Sequence, residues 1–180
     1  AILIMSFLYP IFSDVDPTKV SLFPWEWNKR PSAEHWFGTD QFGRDIFARL
    51  LYGARYSLIV GVLCVLVSTV IGCTLGLIAG YYGGALENVI LRCVEVFAGI
   101  PTILLGIALV NAFGQSISML IIAIGLVNVP VFTRTARAAV LPVRSEEYIE
   151  AAKACGVSDL KIIFTHVLPN CLSPILVRCT

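Results

Sequence analysis

The chain has 180 residues, 57% of them hydrophobic and only 14% charged, and its mean hydropathy is +0.83. Globular domains carry about 25% charged residues, so the shortfall points to a bilayer as solvent. A net charge of +1 gives no case for nucleic acid, and six scattered cysteines without a CxxC pair, with His35 and His166 far apart, offer neither a disulfide framework nor a metal site.

The run from Ala1 to Phe12 is apolar and too short to span a bilayer alone. It lacks the basic start and small-residue cleavage site of a signal peptide. We expect the end of a first transmembrane helix over residues 1–13, in a chain truncated at both ends. Residues 14–55 are expected to form an external loop. Its first part holds Asp14, Asp16, Pro17 and Pro24, with the aromatics Phe23, Trp25 and Trp27. These suit a membrane–water boundary, or an ordinary loop with a small apolar cluster. From Ile46 to Gly53 the residues Ile46, Phe47, Leu50 and Leu51 fall on one helical face, with Arg44, Asp45 and Arg49 towards the other. That pattern predicts a short amphipathic helix on the membrane surface, capped by Thr39 or Asp40.

No charge occurs between Arg55 and Glu87, or between Glu95 and Arg134. A span needs about 20 apolar residues. The first gap predicts one helix over about 56–81. The second predicts two, about 96–113 and 116–132, with a tight turn at Gly114, Gln115 and Ser116. Gly72, Gly76 and Gly80 form two overlapping GxxxG patterns, which let helix backbones approach closely in lipid. Tyr82-Gly83-Gly84 reads as a turn, and Glu87–Glu95 as a helical lead-in with Arg92 and Glu95 three apart. Pro101 is expected inside the helix that follows. Asn111, Gln115 and Asn128 either line a pathway or hydrogen-bond between helices.

Residues 134–168 are the largest polar stretch. A short helix is expected from Ile149 to Cys155, closed by Gly156 at the position that needs a left-handed backbone. Ser158 is a cap candidate for a second piece, Asp159–Val167, which Pro169 should end. A further membrane helix starts from about 168.

Four segments carry a family resemblance. Glu150-Ala-Ala-Lys-Ala-Cys-Gly156 with Leu168-Pro169 resembles the EAA loop of ABC-importer permeases. Gly38-Thr-Asp-Gln-Phe-Gly-Arg-Asp45, Tyr52-Gly-Ala-Arg55 and Gly80-Tyr-Tyr-Gly-Gly84 look like the C-type permease of the dipeptide, oligopeptide and nickel group. The likeness runs from about Pro31 to the end. It implies an all-α membrane protein, a polytopic transmembrane helix bundle of the type I ABC importer kind. The permease domain would occupy 56–180, with a cytoplasmic coupling (EAA) loop at about 134–168. Glu150, Ala151, Ala152 and Gly156 would then engage an ATPase. The two alanines are small enough for close docking, Glu150 offers a charge, and Gly156 sets the angle.

The resemblance implies further partners: a second homologous permease, two cytoplasmic ABC ATPases and an external solute-binding protein. ATP and magnesium would be held by the ATPase, with no cofactor in this chain. The place would be a bacterial or archaeal cytoplasmic membrane, crossed several times. Peptides are the expected cargo, with nickel or another small solute as the alternative. No residue is assigned to substrate, metal or catalysis.

The residues themselves exclude other classes. There is no GxxxxGK[ST] for ATP, and no HExxH or GxSxG for a hydrolase. The spans show no ionisable group to mark an intramembrane enzyme. Neither internal repeats nor buried charges suggest an ATP-independent carrier. Three spans separate the coupling stretch from the Gly38–Arg55 region, which places that region outside. The Lys/Arg count, six outside against five in the coupling stretch, lends this orientation no support.

Overall fold

The computed structural model describes Val20, Ser21, Phe23, residues 26–114 and residues 116–179. The expected helix end over 1–13, the loop residues Asp14, Asp16, Pro17, Pro24 and Trp25, and Gln115 lie outside the described residues. The regular elements are α1 (Ile46–Tyr82), α2 (Gly84–Ala98), α3 (Thr102–Phe113), α4 (Ile117–Arg144), α5 (Glu147–Ala154), α6 (Asp159–Ile162), a π-helical turn (Ile163–Val167) and α7 (Leu168–Cys179). The protein is all-α, and among the described residues its strand-like pairing is confined to one bridge, Thr39 with Asp45. Three stretches are long and apolar enough to cross a membrane: Ile46–Tyr82, Ile117–Arg144 and Asp159–Cys179. A bent pair, α2 with α3, passes the same test. By contact the chain divides into Ala1–Gly61 and Val62–Thr180.

In the first unit, polar side chains tie a loop that has little core. Thr39 Oγ1 accepts from Lys29 N–H at 2.9 Å. Asp40 accepts from the backbone N–H of Phe42 and of Arg44, and from the guanidinium of Arg44 at 2.9 Å and of Arg49. Asp45 caps α1 by accepting from Ala48 N–H at 2.9 Å, and its other oxygen meets His35 Nδ1 at 2.8 Å. The cap is therefore Asp45 and not Thr39 or Asp40, because the loop spends those two on closing itself. Phe47 takes Trp36 and Phe37 against its ring, at centroid distances of 5.0 and 5.3 Å.

The expected surface helix is not separate: Ile46–Gly53 runs straight into the membrane helix. Gly53 is a modest helix penalty, about 1 kcal/mol against Ala, too small to stop a ladder with no proline in it. Ala48 and Leu51 are buried, while Ile46 and Leu50 stay exposed. The inward face is thus turned from the one that the apolar spacing suggested.

In the second unit the glycine stripe of α1 lies directly on α4. A Cβ on Gly72 would fall 2.5 Å from Phe132 Cβ, and one on Gly76 2.5 Å from the Thr133 carbonyl oxygen and 2.6 Å from Ala136 Cβ. One on Gly80 would lie 2.8 Å from Val140 Cβ. Gly125 of α4 answers further along, where a Cβ would sit 2.7 Å from Val67 Cγ1. Ser68, buried, donates to the Gly125 carbonyl at 2.8 Å. Residue numbers rise together along both helices, so they are parallel. Such close approach is how apolar helices associate without a hydrophobic push from lipid.

Parallel neighbours require a return crossing, and α2 with α3 makes it. The expected helix over 96–113 is broken, with an 88° bend between Ala98 and Thr102. Pro101 has no N–H to give, and it pushes the residue before it out of helical geometry. Gly99, just before, offers little resistance.

Two further helices outrun their expected ends. α4 continues past Phe132 to Arg144, because charge marks where a helix leaves the apolar layer rather than where it stops. Arg137 forms an ion pair with Glu87 of α2, and Arg144 donates to the Gly80 carbonyl at 2.8 Å. Pro169 does not end the last piece either. It stands just after the π turn, whose wider spacing spares its ring the usual clash. The Asn170 side chain donates to the His166 carbonyl there at 2.7 Å. The core joins Cys73, Leu77 and Tyr81 of α1 with Phe132, Ala136 and Val140 of α4, and with Ile149, Ile162, Val167, Cys171 and Ile175.

Two tests follow from this packing. Gly76→Val forces the α1–α4 seam open and should cost about 1–3 kcal/mol or more, read as a lower melting temperature in detergent. Gly61→Ala, whose Cβ would meet nothing within 4 Å, should not lower that temperature and should raise it slightly through the better helix propensity of Ala. Burial pushes the Asp40 carboxyl up, but the Arg44 and Phe42 N–H groups and the Arg44 guanidinium outweigh it and hold the carboxyl at about 2, below its ordinary 3.8. A lowered carboxyl stabilises above the ordinary value, and that contribution is lost as pH falls through the folded one. Amide protection in residues 26–45, with the intrinsic exchange rate at each pH divided out, should therefore hold steady down to about pH 4 and fall between 4 and 2. In Asp40→Asn it should be lower at neutral pH and flatter across that window.

Candidate functional site

The polar stretch after α4 folds into a small protrusion. α5 carries one fully buried side chain, Ile149, which enters the core beside Ile162 and Val167. The chain then reverses through a Schellman closure. Gly156 N–H donates to the Lys153 carbonyl at 2.9 Å, and Val157 N–H to the Ala152 carbonyl at 3.1 Å. Gly156 has φ +75°, the left-handed geometry this closure needs. Val157 and Ala152 are partly buried against the same core, the apolar contact that accompanies the motif. Ser158 occupies the cap position of α6 without making a side-chain cap bond.

Side-chain contacts fix this unit to the end of α1. Tyr81 donates its hydroxyl to Asp159 Oδ1 at 2.8 Å, and the Lys153 ammonium stands 4.9 Å over the Tyr81 ring. Arg144, at the close of α4, reaches the Gly80 carbonyl. The short helix is therefore held by α1, α4 and the start of the last helix at once.

Of the four residues singled out for partner contact, Glu150, Ala151 and Gly156 are exposed, and Ala152 is half-buried against the core. Two apolar side chains that the sequence reading passed over join the open surface: Leu160 is 66% and Phe164 64% exposed. Their signal was present. Within Asp159–Val167 the apolar residues Leu160 and Phe164 fall four apart, on a different face from Ile163 and Val167. Ile149 was equally readable as the lone large aliphatic residue of α5.

A second feature lies deeper. Asn111 of α3 and Asn128 of α4 line one cavity of about 440 Å³, together with Thr102, Ile107, Val110 and Ile124. Among the described residues no group of three or more His, Cys, Asp or Glu could hold a metal.

Residues 72–179, which include the whole protrusion, match the family described as binding-protein-dependent transport system inner membrane component, and the chain belongs to that family. It is similar to the dipeptide transport system permease protein DppC of Alkalihalophilus pseudofirmus, 53% identical over 150 residues, 83% of this chain and 49% of that protein. Another such relative is DppC of Haemophilus influenzae, 36% identical over 181 residues, 98% of this chain and 61% of the relative. The glutathione transport system permease protein GsiD of Pectobacterium atrosepticum is 43% identical over 150 residues, 83% of this chain and 50% of its own. The chain thus spans about half to three-fifths of the length of these relatives.

Gly156 yields a local test. A Cβ there meets nothing within 4 Å, so the cost of substitution is backbone strain, about 1–2 kcal/mol for a residue in the left-handed region. Gly156→Val should speed proteolysis and amide exchange in Glu147–Ala154 while the melting temperature of the whole protein barely moves. Gly156→Asn, which tolerates that region better, should fall between.

Proposed function

We propose that this chain is the permease subunit of an ATP-binding cassette importer, part of the membrane pathway for di- and oligopeptides, driven by ATPase subunits that it does not contain. The observation that carries the reading is α5: a short exposed helix, held by the buried Ile149 and tied to the ends of α1 and α4. A helix built this way transmits a push, because displacing it displaces the core into which Ile149 is packed. The names of the relatives, dipeptide and glutathione permeases, favour peptides over nickel or another small solute.

In this reading α5 faces the cytoplasm in a bacterial cell membrane that the chain crosses several times. Glu150, Ala151 and Gly156, with Leu160 and Phe164, meet a cleft of the ATPase, and Ala152 supports them from beneath. A second homologous permease completes the pathway, a solute-binding protein delivers the cargo from outside, and two ATPases bind ATP and magnesium. ATP closure draws the coupling helices together and turns the bundle outward-facing. Hydrolysis resets it. No bond is made or broken within this chain.

The test is reconstitution of the full-length protein with its partner subunits, scoring uptake of a labelled dipeptide against ATP hydrolysis. Ala151→Phe adds bulk to an exposed position, so the protein should insert and melt normally. It should fail to retain the ATPase and lose uptake by about tenfold or more, the effect of a clash at a docked interface. Normal uptake by this variant, or uptake that survives inhibition of the ATPase, would remove the coupling role.

A further inference from the structure

Arg178 lies within the apolar stretch Asp159–Cys179, a charge inside a membrane helix that the sequence reading did not place there. Its depth follows from its neighbour. Cys179 Sγ is 3.4 Å from Thr69 Oγ1 of α1. Thr69 stands midway along the charge-free run Tyr56–Tyr82, about 20 Å from the Tyr82 end at the rise of an α-helix. The hydrocarbon layer is about 30 Å thick, so Arg178 belongs near its middle. A charge at that depth is costly, and such residues face a bundle interior or a wet cavity and find a partner there.

The cavity is present. Arg178 borders a space of about 240 Å³ together with Cys64, Ser68, Asn128 and Phe132. Among the described residues nothing accepts from its guanidinium. Ser68 shares its one hydroxyl hydrogen between the carbonyls of Cys64 and Gly125, at 2.7 and 2.8 Å, which leaves its oxygen able only to accept. Asn128 gives its amide N–H to the Ile124 carbonyl at 3.0 Å, which leaves its side-chain oxygen as an acceptor. Asn128 also lines the larger cavity that holds Asn111 and Thr102. One polar side chain thus borders both spaces. The smaller space, about 240 Å³, is about eight times the volume of a water molecule, about 30 Å³ each, and so admits the end of a small solute rather than a helix.

We propose that Arg178 and Asn128 form a carboxylate-recognising station on the solute path, resting on the importer reading above. The planar guanidinium takes the carboxylate of the solute through two parallel N–H···O bonds, and the Asn128 oxygen accepts an N–H beside it. The charge that makes Arg178 costly in an empty bundle is neutralised each time a solute passes.

The experiment uses the assembled importer with the full-length chain in proteoliposomes, and dialanine as the probe. Arg178→Gln should lower dialanine uptake by about tenfold or more, the loss of one charge-assisted bidentate contact, with assembly and ATP hydrolysis retained. Arg178→Lys, which keeps the charge but not the fork, should lie between. In a background stripped of the native cysteines, Arg178→Cys should regain uptake after modification by the cationic aminoethyl methanethiosulfonate, and not by its anionic sulfonatoethyl counterpart. Wild-type uptake by Arg178→Gln overturns this station and leaves the importer reading standing. If Arg178→Gln instead disassembles the complex, the guanidinium belongs to a carboxylate on a neighbouring helix, and the station is again overturned. Failure of the unmodified assembly to import dialanine at the expense of ATP overturns the importer reading itself.

Discussion

Everything in the second unit depends on the seam between α1 and α4. At Gly72, Gly76 and Gly80 the opposing backbone comes so near that no Cβ fits. The Ser68 hydroxyl is drawn across to the Gly125 carbonyl. In lipid, where apolar side chains gain nothing by leaving their surroundings, contact density and a few polar bonds are what hold two helices together. The glycines supply the first and Ser68 the second. Because the pair is parallel, the chain must cross back between them, and the elbow at Pro101 belongs to that return. The last helix then runs back along the seam, with Cys171 and Ile175 in the shared core.

Polar contacts gather at one end of that seam. Glu87 meets Arg137, Arg144 meets the Gly80 carbonyl, Tyr81 meets Asp159, and Lys153 covers the Tyr81 ring. Each joins elements distant in sequence, and all lie within the last turns of α1 and α4. The short helix α5 adds its own apolar anchor, Ile149, at the same place. Because the anchor and the polar contacts act together, α5 is rigidly joined to two crossings rather than hung on a loop. A displacement of Glu150 and Ala151 would therefore reach the seam through packed side chains.

Much of this was legible in the residues. The charge-free runs located the apolar crossings, the glycine spacing located a close contact, and Gly156 announced a left-handed closure. What could not be read was where helices stop. Pro101, expected inside a helix, bends the path, while Pro169, expected to end one, is absorbed by a π turn. The difference lies in what surrounds each: Gly99 next to the first, and a wide turn with the Asn170 amide beside the second. Arg134 and Arg137 suggested a helix end, but Glu87 was available to receive Arg137. The cap of α1 was misplaced for a similar reason, since the sequence does not reveal that Asp40 is already engaged by Arg44 and Arg49. Of the exposed residues at this end, Glu150, Ala151 and Gly156 were singled out by family likeness, whereas Leu160 and Phe164 emerged from exposure alone.

The π turn at Ile163–Val167 also sets the angular phase of everything after it. A π turn is an α ladder carrying one extra residue, and one residue of α-helix is about 100° of rotation. The face that α7 presents to the seam is therefore defined by that insertion and not by the apolar spacing upstream of it. Remove one residue from Ile163–Val167 and the ladder relaxes to plain α-helix. Cys171 and Ile175 would swing out of the core, and Arg178 would swing away from Asn128. A change of a single residue, lacking any side chain in either cavity, would re-index the wall of the smaller one.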